Sequence, residues 1–484
     1  MSQDMLGRDD ICRFLASVVG EDDVSVNVAD LYAYSMDASM RMSMPVAVAR
    51  PENREEVAEI LKWADENRVP ICPRGAGTSL SGQAVPVKGA VVLDMCKMDK
   101  IKEIDLEDRV AVVEPGVIYD DLNRELGKLG YVFPPDPGSA IACTVGGMVA
   151  NNASGIRALK YGATVDHVLG LEVVLPGGEI IKVGGRVWKS SSGLNLTKLF
   201  VGSEGALGIF TEIILKITPK PRHHGLTIPV FQKLEQALET TVEIMRRGIL
   251  PSAMELIDDI CIMIINNVLE EKLPMGEALL FIENDGYSKV TVEEESRVVR
   301  KICEENGAQK IIYTTDAGRI EELMRLRHTL ANMLSKLRGE NIPLNNVQDF
   351  AVPIGSIPEA VRELKAVAQS HGRLMAIFGH IGDGNIHIGT AINPWREEDR
   401  KAGAEFARKL ADIVVKKYGG TLSAEHGLGV TKASLVELEH GDTLEYMRAI
   451  KRVFDPHGIM NPGVMGLLEV PRDEFVYMPT RVVA

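Results

Sequence analysis

Three histidines and one glutamate fall in two glycine-rich stretches of the second half of the chain. The first stretch, residues 378–390, reads FGHIGDGNIHIGT, and the second, residues 423–432, reads SAEHGLGVTK. Imidazole and carboxylate groups are the usual ligands of zinc and related ions, and glycines let the backbone come close to a metal and its substrate. The pattern indicates an active site in which a metal ion takes part. The candidate residues are His380, His387, Glu425 and His426.

The spacing of the first two histidines restricts the kind of metal site. His380 and His387 are seven residues apart with Gly-Asp-Gly between them, so they cannot form the helical i, i+4 ligand pair of a zinc protease. We expect two short strands, residues 378–380 and 385–388, joined by a turn that brings both imidazoles together. A histidine on its own is more often a core or solvated residue than a ligand, but the second cluster favours a metal site.

Glu425 and His426 are neighbours in the sequence, and neighbouring side chains on a strand point to opposite faces. Both can enter one pocket only if the backbone leaves regular structure, which Gly427 and Gly429 allow. We therefore expect an irregular loop in this stretch.

The composition bounds the class of protein. The chain has 484 residues, 45% of them hydrophobic, which is enough for two or three domains with large buried cores. The formal net charge of -14 argues against broad binding to nucleic acids or anionic membranes, and no apolar run approaches the length that spans a bilayer. The N-terminal residues MSQDMLGRDD lack a basic segment followed by an apolar core, so we expect a cytoplasmic globular protein.

The six cysteines are spread along the chain without a C-x-x-C pair. This excludes a self-contained zinc ribbon and a typical cysteine-run iron–sulfur cluster. Scattered cysteines are most often small buried hydrophobic residues in a reducing compartment. They are Cys12, Cys72, Cys96, Cys143, Cys261 and Cys303.

A glycine-rich loop, PRGAGTSLSG at residues 73–82, follows an amphipathic helix expected at residues 54–67. It looks like a dinucleotide loop, but Leu80 replaces the third glycine of G-x-G-x-x-G, and a strand signal at residues 90–93 follows where a helix would be needed. A Rossmann phosphate site is therefore not expected. On these residues alone two interpretations remain, a flexible surface loop or a cradle of amides and hydroxyls for a pyrophosphate in another fold.

A second irregular segment, residues 134–162, shows no clear period and is too apolar to be disordered. Compact domains seldom contain such a stretch unless it wraps a ligand, and its small residues would let backbone amides approach a flat ring system and its diphosphate. After it we expect a hairpin at residues 167–183 and a strand at residues 209–217.

The remaining chain alternates strand and helix signals, which favours an α+β sheet with helices to one side. An amphipathic helix is expected at residues 234–245, and His223-His224 is interpreted as a solvated linker. The strand candidates are residues 226–230, 253–257, 278–282, 310–313 and 374–378.

Several long motifs, in the same order along the chain, resemble those of the FAD-linked 2-hydroxyacid dehydrogenases of the vanillyl-alcohol oxidase superfamily, which include glycolate oxidase flavin subunits and FAD-linked D-lactate dehydrogenases. The resemblance implies an α+β fold with a two-subdomain FAD-binding domain of the PCMH type at residues 1–220. An α+β cap domain with an antiparallel sheet would follow at residues 221–450, and a tail at 451–484 would return to the FAD domain. The motifs are PRGAGTSLSGQAVP, PPDPGSAIACTVGGMVANNASGIRALKYG, VGSEGALGIFTEIILKITPKP, GHIGDGNIH, SAEHGLG and FDPHGIMNPG.

The resemblance also implies a reaction, the oxidation of a small 2-hydroxy acid such as D-lactate or glycolate, with hydride transfer to noncovalently bound FAD. His380, His387 and Glu425 match the ligands of a divalent metal, zinc or manganese, and His426 matches the base that deprotonates the substrate hydroxyl. The residues that match FAD-contacting motifs are Arg74, Gly75, Ala76, Gly77, Thr78, Ser79, Gly82, Pro135, Asp136, Pro137, Gly138, Ser139, Thr144, Gly146, Gly147, Ser154, Gly155, Glu204, Gly205, Gly208 and Ile209.

The substrate carboxylate requires a cation, and arginine can hold it with two parallel hydrogen bonds. Arg327 matches the substrate-binding arginine of the family, although Met324 stands where a tryptophan commonly precedes it. Arg325 is an alternative, and an exposed helical arginine without such a role is another. Gly389 stands where relatives that act on dicarboxylic substrates often carry asparagine, which favours a monocarboxylic substrate.

Two other functions remain open from the sequence. One is a metal-dependent hydrolase without flavin, and the other is an inactive flavin-carrying subunit of an electron-transfer complex. For a dehydrogenase, neither a cluster-binding cysteine pattern nor a haem C-x-x-C-H motif is present to reoxidise the flavin. The resemblance implies a separate protein acceptor, an electron-transferring flavoprotein or an iron–sulfur subunit, and leaves peripheral membrane association open.

Overall fold

The computed structural model describes residues 7–268, 272–328, 330, 339–471 and 473–477. Within these residues, fifteen α-helices accompany two sheets in the first half of the chain and one large sheet in the second. The helices are α1 Arg8–Val19, α2 Val28–Tyr34, α3 Arg54–Asn67, α4 Tyr119–Lys128, α5 Val145–Asn151, α6 Ala158–Tyr161, α7 Leu196–Phe200, α8 Leu234–Arg246, α9 Asp259–Val268, α10 Lys289–Glu305, α11 Ala317–His328, α12 Ile357–Ser370, α13 Glu397–Asp412, α14 Val436–His440 and α15 Thr443–Phe454.

The first half of the chain forms two main sheets, of four and five strands, and β8 and β12 pair in a separate two-stranded sheet. Strands β4 and β5 run parallel to each other, whereas the five-stranded sheet, in the order β10-β9-β11-β7-β6, is antiparallel throughout. The strands are β1 Val24–Ser25, β2 Arg41–Met42, β3 Ala47–Ala49, β4 Ile71–Arg74, β5 Val91–Asp94, β6 Ile101–Asp105, β7 Val110–Val113, β8 Tyr131–Val132, β9 Val168–Val174, β10 Ile180–Gly184, β11 Ile209–Lys216 and β12 Thr218–Pro219.

Helix α3 shows how the local sequence produces this packing. Val57, Ile60 and Leu61 recur at helical spacing and are fully buried against the four-stranded sheet. The Asn53 side chain accepts a hydrogen bond from Glu56 N at the N-terminus, and Arg68 ends the helix in the left-handed region. The predicted helix at residues 54–67 is confirmed, as is the hairpin formed by β9 and β10.

The second half forms a seven-stranded sheet in the order β16-β13-β15-β14-β19-β20-β18, and every neighbouring pair is antiparallel. Helices α8, α10 and α12 pack on it around a core that includes Leu238, Leu280, Val299 and Leu364. The five strand candidates and the helix at residues 234–245 are confirmed. The strands are β13 His223–Phe231, β14 Ala253–Asp258, β15 Ala278–Gly286, β16 Lys310–Thr314, β17 Ile342–Pro343, β18 Asp349–Ala351, β19 Ala376–Gly379, β20 Asn385–Gly389, β21 Ala391–Ile392 and β22 Val476–Tyr477.

Two local interpretations were wrong. The segment at residues 134–162 was expected to be irregular, but it contains the short helices α5 and α6. Its glycines and asparagines have low helix propensity, so the segment shows no helix signal in its sequence. The Thr144 side chain caps α5 by accepting a hydrogen bond from Gly147 N. His223 and His224 begin β13 and are not a solvated linker, since His224 Nδ1 lies 2.8 Å from a Glu283 oxygen on the neighbouring strand. That partner is distant in sequence and gave no local signal.

The last described residues pack against the first half of the chain. Met460 bridges to Ile71 in parallel, and β22 pairs with β2. The Glu474 carboxylate also accepts a hydrogen bond from Ser43 Oγ. Among the described residues no helix is long and apolar enough to cross a membrane.

Candidate active site

The turn between β19 and β20 brings the two histidines of the first motif together. The strands pair antiparallel, with Phe378 opposite His387. Gly384 closes the turn at φ +90°, where an added Cβ would lie only 2.1 Å from the Val352 carbonyl oxygen. The rings of His380 and His387 meet edge to face with their centroids 5.1 Å apart. The predicted hairpin is confirmed.

Glu425 places one carboxylate oxygen among three imidazoles. Its Oε1 lies 3.1 Å from Nε2 of His380, 3.2 Å from Nε2 of His387 and 3.5 Å from Nε2 of His426. The loop is irregular as expected, because the two glycines that follow adopt left-handed φ values of +72° and +50°. This lets adjacent side chains enter one pocket.

The partners of the other ring nitrogens fix the tautomers. His380 Nδ1 lies 2.6 Å from the Glu255 carboxylate, and His387 Nδ1 lies 3.2 Å from the Gln348 carbonyl oxygen. A carbonyl oxygen and an ionised carboxylate only accept, so we assign the hydrogens of neutral rings to Nδ1. Both Nε2 lone pairs then face the Glu425 oxygen. Three acceptors converge on one place, which fits a bound cation.

The charges around His380 attract a positive charge, which a proton supplies when no metal ion is bound. Burial opposes a charge on His380, but the Glu255 and Glu425 carboxylates outweigh it and raise its pKa well above the ordinary value. Burial also opposes ionisation of Glu425, yet the histidines around it, His380 first, hold its pKa well below the usual range. The site therefore favours a positive charge between these groups.

Asp349, which the sequence did not single out, is a further candidate ligand, with an oxygen within 4.8 Å of ligand atoms of Glu425 and His426. Its Oδ2 already accepts from Ser423 Oγ at 2.7 Å and from the backbone N–H groups of Glu425 and His426 at 3.1 and 2.8 Å. Its Oδ1 accepts from Asn385 Nδ2 at 2.9 Å. A carboxylate has about four acceptor sites, and these four hydrogen bonds occupy them. Asp349 therefore holds the Glu425-His426 loop in place and has little capacity left to bind a metal ion.

Glu255, on β14, was also missed, because the residues around it predict only a buried strand. It is fully buried, and its two oxygens lie against different site residues. Oε1 is the partner of His380, and Oε2 lies 2.6 Å from Arg327 Nη2. The guanidinium N–H does not point along the line to Oε2, so this contact is ionic and is not an aligned hydrogen bond.

Of the two arginines considered for the substrate, Arg327 is the one that lines the cavity. It is only 6% exposed and lies over the Phe378 ring, with 5.5 Å between the guanidinium carbon and the ring centroid. Arg325, two residues before it on the same helix, is exposed. Gly389 lies at the end of β20 and is not among the described residues that line the cavity.

A cavity of about 420 Å³ joins the two halves of the molecule. One wall carries Arg327, Phe378 and the histidine–glutamate cluster, and the other carries the three segments that resemble FAD-contacting motifs. From those segments, the wall includes Arg74, Gly75, Ala76, Gly77, Thr78, Ser79, Asp136, Pro137, Gly138, Ser139, Thr144, Gly146, Gly147, Ser154, Glu204, Gly205, Gly208 and Ile209.

Three of the expected cofactor residues, Gly82, Pro135 and Gly155, are not among the described residues at the wall. The two glycines serve close packing nearby. A Cβ on Gly155 would lie 1.9 Å from the Asp136 carbonyl oxygen, and one on Gly82 would lie 2.6 Å from Val430 Cγ2. They shape the segments that line the cavity.

Side chains from the first half hold the loop that carries Glu425 and His426. Gln83 Nε2 donates to the His426 carbonyl oxygen at 2.6 Å, and Asn151 Nδ2 donates to the Glu425 carbonyl oxygen at 2.7 Å. The Glu204 carboxylate accepts from the backbone N–H groups of Leu428 and Gly429 in that loop, at 2.7 and 2.8 Å. The predicted base is thus positioned by the part of the chain that lines the other wall.

Two family models match the chain. The model described as "FAD linked oxidases, C-terminal domain" matches residues 220–465, and the model described as "FAD binding domain" matches residues 45–184. The first alone spans more than half of the sequence. The chain belongs to the FAD-linked oxidases.

Similar proteins agree with membership in the FAD-linked oxidases. A glycolate oxidase subunit of Bacillus subtilis is 37% identical over 94% of this chain and 96% of its own length. A D-lactate dehydrogenase of Archaeoglobus fulgidus is 36% identical over 89% of this chain and 95% of its own length. A 4-ethylphenol oxidase from Gulosibacter chungangensis shares the fold, with a TM-score of 0.76 at 18% identity over 95% of this chain and 97% of that one. The predicted α+β fold of the vanillyl-alcohol oxidase type is confirmed, and the protein is an FAD-linked oxidoreductase.

The residues present fit the FAD of an FAD-linked oxidase. An added Cβ on Gly75 would lie 2.2 Å from Thr144 Oγ1, and Gly77 has a left-handed φ of +68°, so glycine is favoured at both positions and bare backbone faces the cavity there. Sequence reasoning missed several wall residues that lie between or outside the recognised motif positions. They include Gln83, Met95, Pro115, Cys143, Asn151, Ile156, Phe210 and Gln348.

Proposed function

We propose that this FAD-linked oxidoreductase oxidises a small 2-hydroxy acid, D-lactate or glycolate, to the 2-oxo acid. One observation carries the proposal: a single cavity is bounded on one side by the FAD-binding segments and on the other by a buried arginine and a histidine–glutamate cluster. Removal of the Cα hydrogen as hydride and of the hydroxyl hydrogen as a proton requires a flavin, a base and a carboxylate anchor around one small molecule.

The proposed roles follow from the positions of the side chains. Arg327 binds the substrate carboxylate, and His426 accepts the hydroxyl proton at Nε2. His426 is the most open of the three imidazoles, with a side chain 22% exposed against 11% for His380 and 6% for His387. Its two ring nitrogens lie 3.6 Å from Asp349 Oδ2 and 3.5 Å from Glu425 Oε1, too far for a normal hydrogen bond to either carboxylate, and Nε2 is proposed as the accepting atom.

His380, His387 and Glu425 are proposed to hold a divalent metal, zinc or manganese. The convergence of their acceptor atoms supports this assignment. When bound, FAD accepts the hydride and the metal ion lowers the pKa of the substrate hydroxyl. The protein's own contribution is to keep both Nε2 lone pairs and the Glu425 oxygen facing one point.

The charges at the wall support a substrate with one carboxylate. Among the described residues, the cations that line the cavity are Arg74 and Arg327. Arg74 Nη1 donates to the carbonyl oxygens of Met36 and Ala84, which leaves Arg327 as the cation beside the histidine cluster. Relatives named as a glycolate oxidase subunit and as D-lactate dehydrogenases support the same substrate class.

A separate protein is proposed as electron acceptor, either an electron-transferring flavoprotein or an iron–sulfur subunit. All six cysteines are free and scattered. The Bacillus relative is named as a subunit, which is consistent with a larger assembly.

Steady-state assays with dichlorophenolindophenol as acceptor test the proposal. The FAD-loaded protein is offered glycolate, D-lactate, L-lactate and D-2-hydroxyglutarate, and we expect turnover with D-lactate or glycolate and little with the dicarboxylate. Hydrogen peroxide and NADH are measured in parallel and are expected to stay far below dye reduction. Turnover with none of the four acids would disprove the substrate class, and peroxide formed as fast as the dye is reduced would show an oxidase.

A further inference from the structure

The Glu255 carboxylate touches both the proposed metal cluster and the proposed substrate arginine. It is fully buried on β14, whose Leu256 pairs with Gly379 of β19, so its side chain lies beside the ring of His380. Oε1 is 2.6 Å from His380 Nδ1, and Oε2 is 2.6 Å from Arg327 Nη2. One carboxylate thus connects His380, directly after β19, with Arg327 of α11.

We propose that Glu255 is a positioning residue that sets the metal-binding tautomer of His380 and the orientation of Arg327 at the same time. The inference rests on the proposed function of this site. By accepting from Nδ1–H, Glu255 leaves Nε2 of His380 as the lone pair that faces Glu425. By pairing with Nη2, it restrains the guanidinium in the cavity wall beside Phe378.

The buried location makes both contacts necessary. A carboxylate away from water is costly unless its charge and lone pairs are compensated, and the two oxygens of Glu255 have these two different partners. Neither partner is replaceable by solvent, because Arg327 is 6% exposed and His380 is 9% exposed. Loss of either acceptor oxygen therefore disturbs one ligand site, and loss of the negative charge disturbs both.

Glu255→Gln tests this with little change in shape. An amide can present its oxygen to only one partner and turns its NH₂ toward the other, where it meets an N–H group. In the FAD-loaded, metal-free protein we expect zinc affinity, measured by chelator competition, to fall about 10- to 100-fold. At saturating zinc we expect the Kd of pyruvate, measured from the flavin absorbance change, to rise at least about fivefold. The reason is that Glu255 no longer holds Arg327 in the orientation that binds a carboxylate with two hydrogen bonds. Neither readout needs turnover.

Glu172→Gln is the matched control. Glu172 is 3% exposed on β9 and also pairs with two cations, Arg54 at 2.9 Å and Lys182 at 3.4 Å. Neither Glu172 nor these partners line the cavity among the described residues. We expect this variant to lose thermal stability while zinc and pyruvate binding stay within about twofold of the parent protein, because its partners touch neither ligand.

If Glu255→Gln does not fold, Glu255→Asp keeps the charge but is one methylene too short to reach both partners, and the same two losses are expected. Unchanged zinc affinity would overturn the proposal. A loss of zinc affinity alone, with unchanged pyruvate binding, would also overturn it, since Glu255 would then serve His380 only. Equal losses in the Glu172 control would show general destabilisation and would also overturn the proposal. Failure of the proposed function would show itself differently, as a parent protein whose flavin no 2-hydroxy acid reduces.

Discussion

The His426 side chain is partly exposed, and its pKa is lowered, so the neutral ring is favoured. Its burial lowers its pKa and outweighs the opposing influence of Asp349 and Glu425. A neutral imidazole at neutral pH can accept the substrate proton. Its backbone is held from both sides, by Asp349 at the N–H and by Gln83 at the carbonyl oxygen, so removal of the ring leaves the loop anchored.

His426→Ala should therefore keep FAD and metal but slow flavin reduction about a hundredfold, the usual size of a lost general base. Stopped-flow spectroscopy measures the rate, and metal analysis of the purified protein measures the content. His457→Ala, at a histidine that pairs with Asp65 on the surface, is the control and should react like the parent. A reduction rate within a few-fold of the parent would place the base elsewhere.

Glu204 gives the site a pH-dependent stability. Burial raises its pKa from 4.5 to about 7, against the opposing effect of the Leu428 and Gly429 N–H donors. The folded state thus binds a proton more tightly than the unfolded state. The contribution of Glu204 to the free energy of unfolding is fully present below about pH 4.5 and is lost as the pH rises through about 7.

We expect the FAD-loaded parent to lose up to about 3 kcal/mol of stability between about pH 5 and about pH 8 relative to Glu204→Gln, whose amide does not titrate. Melting temperatures of both proteins across this range, at one scan rate, measure the difference. The Gln variant is less stable at low pH because its NH₂ faces an N–H donor, but its curve should be flatter. Parallel curves would mean that Glu204 does not titrate in this range.

At the scale of elements, the β19–β20 hairpin determines where the two histidines meet. Gly384→Ala should lower the free energy of unfolding by at least about 2 kcal/mol, because the left-handed φ of +90° is strained and the new Cβ would overlap the Val352 carbonyl oxygen. We also expect less bound zinc, since the turn holds His380 and His387 together. Thermal unfolding and metal analysis are the measurements.

Gly372→Ala is the control that has the backbone strain of a left-handed φ but no steric overlap of the new Cβ. Gly372 has a φ of +62°, and nothing lies within 4 Å of an added Cβ. Its replacement should cost only about 1 kcal/mol and leave the metal content unchanged. If both alanine variants behave alike, close packing at Gly384 does not hold the hairpin.

Elements with a local signal were predictable from the sequence. Helix α3 has apolar residues at helical spacing and an Asn53 cap, and the predicted and observed bounds agree. The β19–β20 hairpin was predictable because glycines interrupt two short apolar runs. The resemblance to FAD-contacting motifs rests on long motifs in a fixed order, and most of the residues named for it line one cavity.

The residues that sequence reasoning missed act through distant contacts. Glu255 meets His380 across 125 positions, and Asp349 meets the His426 N–H across 77. Nothing within their own strands distinguishes them from other buried polar residues. Helix α5 was missed for a different reason, because its glycines have low helix propensity and its capping by Thr144 and tertiary packing stabilise it.

At the scale of the whole molecule, ionic contacts join the cofactor-binding part to the sheet that carries the histidines. Arg157 pairs with Asp136 at the cavity wall and with Glu283 of β15. Lys160, on the same short helix, pairs with Asp285 of that strand at 2.5 Å. These contacts fix one wall of the cavity relative to the other, so a ligand between them meets preformed groups from both.

The central claim is that one cavity brings a 2-hydroxy acid, a flavin and a metal-binding cluster together. Anaerobic mixing of the FAD- and zinc-loaded protein with D-lactate or glycolate tests it most directly, with flavin bleaching followed in a stopped-flow instrument. We predict bleaching at a rate that saturates with substrate concentration, lost when a chelator removes the metal and restored by zinc, with the oxidised flavin spectrum retained throughout. A flavin that stays oxidised with every 2-hydroxy acid, or one that bleaches at the full rate in the demetallated protein, would contradict the claim.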